Sequence, residues 1–251
     1  AYSKIQDVII KEGLTDRLFS LASVIIETGE KVIEDRRGRQ IHEPNNVPYL
    51  DKNDSFSLKD RILRLMGIKN IQTAELRSKY TLNWIKPLKK ALSSSFNVGL
   101  VVFVILGVYY ILFKKVISKL GEDASPLQFY SVITNNFWLI IIVFIIVYFI
   151  LKLIYEIFYY KSYYYADNEE LLGLRNGVFG KINLAIPYNK VQNIFVDQDF
   201  FDRLFSLWDV HLSTVGMISM ETHIDGLKKE HAEGLRNLLI QRTIYKGKLR
   251  K

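Results

Sequence analysis

The residues of this chain able to act on a ligand are few, and their spacing is informative. Two Asp-Arg pairs stand out, Asp16-Arg17 and Asp202-Arg203, each followed by Leu-Phe, as Leu18-Phe19 and Leu204-Phe205. A carboxylate beside a guanidinium could form an acid–base pair or an anion site. Both pairs, however, lie in the same six-residue string, DRLFSL, so capping and pairing within a repeated structural turn is the simpler use. The four histidines, His42, His211, His223 and His231, lack metal-ligand spacing. No GxSxG, HExxH, GxxxxGK[ST] or GxGxxG occurs, and the absence of cysteine removes disulfides, thiolate metal sites and cysteine nucleophiles. The expectation is a chain that is not an enzyme and takes no metal or cofactor.

Basic residues are more suggestive. Lys86, Lys89 and Lys90 precede an uncharged run, and Lys246, Lys248 and Arg250 form a tail. Each cation near an anionic bilayer contributes about 1 kcal/mol, so these six are candidate lipid-surface contacts and anionic head groups the candidate ligand. Nucleic acid, the other common partner of a chain with net charge +8, is not expected: no reading motif is present and the lysines cluster beside apolar sequence.

Two uncharged runs dominate the rest of the chain. Residues 91–113 are 23 without a charge, and residues 124–151 are 28. At about 1.5 Å per residue the shorter reaches roughly 34 Å, enough for a hydrocarbon core of about 30 Å. Spans are predicted over 93–113 and 132–151, joined by a charged connector at 114–123. A mean hydropathy of +0.08 beside 34 Lys and Arg fits this segregation of oily and basic parts. Arg77, Lys79, Lys86, Lys89, Lys90, Lys152 and Lys161 flank the pair, against Lys114, Lys115 and Lys119 in the connector. The excess predicts a multi-pass protein of the cell membrane with cytoplasmic flanks.

Around the hairpin lies a repeat. Residues 2–28 align without a gap to 188–214, with eleven of 27 positions identical. A second match, 66–76 against 225–235, implies an inserted surface loop at about 31–64, rich in charge, Asn and Pro. In the second copy, 163–166, 170–175 and 178–186 read as strands with Asn176-Gly177 as a tight turn. Strands follow at 191–197 and 208–214, FFDRLFSL forms a helical turn whose Phe200, Leu204 and Leu207 plug the sheet, and 228–243 forms an amphipathic closing helix. The organisation expected is a partial module at 1–83, a transmembrane hairpin at 84–157, a complete module at 158–245 and a basic tail at 246–251.

Asn176-Gly177, Ile186-Pro187-Tyr188, Lys190-Val191-Gln192, Asp202-Arg203-Leu204-Phe205, Asp209-Val210 and Gly226-Leu227, in that order, resemble the membrane-flanked domain of the bacterial YdbS and YdbT proteins. The resemblance implies an α+β membrane protein in which a transmembrane helix hairpin lies between two pleckstrin-homology-like modules. Each module is a small β-barrel or sandwich closed by a C-terminal helix, and the first is incomplete. Ala1 aligns with Pro187, so the first copy lacks the counterparts of 163–186, which implies an N-terminally truncated fragment and predicts that this copy is poorly ordered. The function implied is a tether holding cytoplasmic modules at the bilayer to bind protein or lipid head groups, alongside a membrane protein of the same family. A role in envelope stress or resistance to antimicrobial compounds is implied by resemblance alone. The rival reading is an accessory subunit of a transport or export complex, against which neither span carries an intramembrane ionisable residue.

Overall fold

The computed structural model describes residues 2–28, 32–34, 40–42, 45–120, 136–214 and 222–248. They form two compact units, one of residues 1–86 and 158–251 and one of residues 87–157.

In the first unit, β1 (Ile5–Glu12), β2 (Leu21–Thr28) and β5 (Asn45–Asp51) form antiparallel ladders, with the short helix α1 (Leu14–Leu18) between β1 and β2. A small hairpin, β3 (Val32–Glu34) with β4 (Gln40–His42), precedes β5. Helix α2 (Lys52–Leu65) follows at once, its first turn capped by the Asp51 carboxylate, which accepts from the Asn53 N–H at 2.8 Å. A two-residue strand, β6 (Ala74–Glu75), then joins β7 (Tyr164–Asp167), which leads to β8 (Leu171–Asn176) and β9 (Lys181–Pro187). The three strands β10 (Val191–Asp197), β11 (Trp208–Thr214) and β12 (Thr222–Leu227) form a separate sheet, with a short helix at Phe200–Phe205 and a closing helix at Lys229–Lys248.

Four strands of the second copy, β7, β8, β10 and β11, fall within a residue of where alternation places them; β9 begins at Lys181 rather than at 178, and β12 was not expected. Gly177 is required at the Asn-Gly turn: its φ is +113°, and a Cβ there would meet the Gly180 carbonyl oxygen. The two sheets of this copy do not close into a barrel among the described residues.

The interval 31–64, expected as an inserted loop, instead carries β5 and α2. The ladders show the true correspondence. β1 with β2 and β10 with β11 share one register at an offset of 186 residues, including the same bulge, after Ile5 and after Val191. β5 matches β12 at an offset of 177: Leu50 and Leu227, Val47 and Ile224, and Asn45 and Thr222 take equivalent partners. Lys52 and Lys229 then open equivalent helices. The closing helix of the first copy is therefore α2, and the match at 66–76 is not the structural one.

The first copy is also not left uncovered. β1 pairs with β9, from Val8↔Ala185 to Glu12↔Lys181, which yields one seven-stranded sheet in the order β5-β2-β1-β9-β8-β7-β6. β8 and β9 consequently contribute side chains to two cores. Leu172, Leu174 and Ile186 enter the core of the second copy with Tyr165, Tyr188, Leu212 and Leu235, while Leu171 and Ala185 enter that of the first with Val8, Ile10, Val24 and Leu63. Contact with two cores accounts for the adjacent apolar pairs Leu171-Leu172 and Ala185-Ile186, whose members point to opposite faces.

The second unit holds two helices within longer ones, α3 (Lys86–Leu120) and α4 (Phe137–Ser162). They pack antiparallel: Ser94 Oγ and Tyr148 Oη lie 2.9 Å apart, Gly99 faces Ile145 and Gly107 faces Trp138. Both are long and apolar enough to cross a membrane, over Lys86–Leu112 and Trp138–Ser162. Only 17% and 6% of their most apolar windows are buried, so these are not core helices of the described fold. Helix α3 continues through Lys114 and Lys115 to Leu120, where a connector was expected; residues 132–135 lie outside the described residues.

Candidate functional site

The Asp-Arg-Leu-Phe turns are built alike in both copies. In the first, the Asp16 carboxylate accepts from the Gly13 N–H at 2.9 Å. In the second, Asp202 accepts from the Asp199 N–H at 3.1 Å while the Asp199 carboxylate accepts from the Asp202 N–H at 2.7 Å, a reciprocal capping box. Both turns end on a serine in the left-handed region, Ser20 (φ 54°) and Ser206 (φ 52°). Asp16 and Asp202 thus each accept a backbone N–H three residues earlier, within their own turn.

The apolar residues of these turns do not plug the sheet. Leu14, Leu18 and Phe19 are exposed, as are Phe200 and Leu204; of the expected plug residues only Leu207 is buried. The short helices are single turns, of five and six residues, and leave these side chains in solvent. Arg203 is exposed.

At the first copy this exposed turn becomes part of a larger patch. Arg17 donates through Nη1 to the carbonyl oxygens of Val178 and Phe179, both at 2.9 Å, which fastens α1 to the β8–β9 turn. The Phe179 side chain is exposed there. Beneath it Lys181 stands near Arg175, Arg17 and Lys52; burial first, then these cations, lowers its pKa, and Glu12 opposes them. Glu12 is buried and pairs with Lys52 at 3.1 Å. A basic cluster with one internal carboxylate is therefore capped by four exposed apolar side chains, Leu14, Leu18, Phe19 and Phe179. Sequence reading missed it because Arg17 and Phe179 are 162 residues apart.

The lysines expected at a lipid surface behave differently. Lys86 is buried: its ammonium pairs with Asp225 and lies 4.4 Å from the centroid of the Tyr163 ring. Lys89 is buried and Lys90 half-buried. Lys86 and Lys89 are therefore corrected from surface contacts to interior residues. Lys246 and Lys248 lie in the last turn of the closing helix, and Arg250 lies outside the described residues.

Other polar sites satisfy themselves. A cleft of about 600 Å³ contains Asp167, whose carboxylate accepts from Tyr188 Oη and from Arg242 Nε at 3.3 Å. Burial raises the Asp167 pKa, and these two bonds oppose the rise. In the same cleft Glu170 accepts from the backbone N–H groups of Lys69 and Asn70. His211 stacks between Phe195 and His223 and meets Asp197 at 2.9 Å through Nε2, a cross-strand arrangement invisible in linear spacing. Among the described residues no three His, Asp or Glu side chains come together as a metal-holding group.

The family model described as Bacterial PH domain matches residues 1–66 and 95–243. The first segment ends just past α2 and the second within the closing helix, in agreement with the structural repeat. No curated protein and no solved structure matches the chain.

Proposed function

Because the chain belongs to the bacterial PH domain family, we propose that it is a multi-pass cell-membrane protein whose hairpin keeps PH-like modules at the cytoplasmic face, where they bind anionic lipid head groups. The domain is a non-catalytic binding scaffold, and the chain is not an enzyme. The observation that supports the lipid reading is the tip at α1 and the β8–β9 turn. Exposed Leu14, Leu18, Phe19 and Phe179 suit the head-group and acyl boundary, and Arg175 and Lys181 beside them suit phosphates. The similarity to YdbS and YdbT proteins extends the reading to a membrane-protein partner of the same family and to envelope stress.

The chain lacks cysteine, so Phe179→Cys gives a single site for an environment-sensitive fluorophore. In nanodiscs of phosphatidylcholine mixed with phosphatidylglycerol the emission should shift to the blue relative to phosphatidylcholine alone. High salt should reverse the shift by screening the cations. The same spectrum in both lipids would remove lipid binding and leave protein docking as the role of the tip.

A further inference from the structure

β10 is an edge strand of its three-stranded sheet, and the repeat supplies a reference for what an occupied edge looks like. Its counterpart β1 is paired on both sides, with β2 and with β9. The edge of β10 equivalent to the one that β1 gives to β9 pairs with no strand among the described residues. The consequence is visible in burial. Val8, Ile9 and Ile10 of β1 are at most 6% exposed, whereas their counterparts Ile194 and Val196 are half-buried and Phe195 is 39% exposed. Between the bulge after Val191 and the terminal Asp197, the stretch Asn193 to Val196 contains no charged residue and no Pro, the residues that usually blunt an open edge.

We propose that this edge of β10 is a β-augmentation seat for the third strand of another bacterial PH module on a separate polypeptide. The incoming strand lies antiparallel, in the register that β9 takes on β1. The β1–β9 seam supports this occupant because it is the same union, made within one chain between two copies of the module. Its register also answers the exposed ring: Leu184 of β9 stands opposite Ile9, so the equivalent residue of the partner strand stands opposite Phe195. Leu184 thus predicts an aliphatic side chain at that position, packed on the Phe195 ring, while main-chain hydrogen bonds supply most of the affinity. This chain's own β9 cannot be the occupant, being paired on both edges already by β1 and β8. The proposal does not depend on lipid binding at the tip.

The test uses the full chain in detergent with Phe195→Cys as its only cysteine. The probes are peptides of the sequence 180–187, GKINLAIP, carrying Leu184→Cys or Asn183→Cys. Under mild oxidation the Leu184→Cys peptide should form a disulfide at least tenfold faster, because Asn183 points to the opposite face. Excess unmodified peptide should suppress the reaction, and a scrambled peptide should not. Equal rates for the two peptides, or no adduct, would overturn the proposal; a Phe195→Cys chain that links only to itself would assign the edge to a second copy's β10 instead. Fluorescence anisotropy of the labelled peptide with the unmodified chain serves as a readout independent of the substitution: saturable binding is expected, and its absence counts against the seat.

Discussion

At the scale of residues, the groups most at odds with their surroundings make the sharpest predictions. Asp7 is fully buried on β1 and faces Glu27 across the β1–β2 ladder; burial first, and then the charge of Glu27, raise its pKa from 3.8 to about 8. The folded chain therefore keeps a proton that the unfolded chain releases between about pH 4 and pH 8. Stability should fall as pH rises through that window, by up to about 1.4 kcal/mol per pH unit. Asp7→Asn should flatten the dependence and raise the melting temperature near pH 8; a wild-type profile already flat from pH 5 to pH 8 would refute the account. Lys86 makes the opposite case, a charge kept by a partner. Lys86→Met leaves Asp225 buried without its cation and should cost about 3–5 kcal/mol in denaturant titrations, whereas Lys86→Met combined with Asp225→Leu should recover a good part of the loss. Its position before an uncharged run suggested a surface cation, because a linear sequence does not show that Asp225 waits 139 residues away.

At the scale of elements, five of the six strands of the second copy, β7 to β11, were legible because alternating side chains and a Gly-dependent turn are local signals. The short helix at Phe200–Phe205 was legible as a turn, but the side it shows to solvent was not. Its cap carries a prediction: Asp199→Ala removes the carboxylate that accepts the Asp202 N–H and should cost about 1 kcal/mol, read as a shift in the denaturation midpoint. The equivalent position in the first copy is already Gly13, so that copy keeps only the Asp16 half of the box. The elements missed were β12, the short strands β3, β4 and β6, and, most consequentially, β5 and α2. Residues 45–51, with two Asn and Pro48, read as loop, yet β5 is the outermost strand of its sheet, where a proline costs no ladder bond on its open side. α2 was hidden because only a narrow stripe, chiefly Ile62 and Leu63 with Ser55, is fully buried among many charges.

At the scale of the whole molecule, the β1–β9 seam makes residues 1–86 and 158–251 one compact unit. A fragment of residues 162–251, holding all of β7 to β12 and the closing helix, loses the partner of β9 and the cover over Leu171 and Ala185. It should show weak amide protection in β8 and β9 and a tendency to aggregate; strong protection there in the isolated fragment would contradict the joint core. The sequence by itself determined the two apolar helices, the repeat and the capped turns, since each depends on residues close together in the chain or on identity between copies. Tertiary structure alone decided that β1 lies against β9, that Arg17 fastens the β8–β9 turn and that β10 has a partner strand on one side only among the described residues. The physical reason is that strand pairing is made by backbone groups every residue carries, so the side-chain text says a strand will form but not which distant edge it will meet.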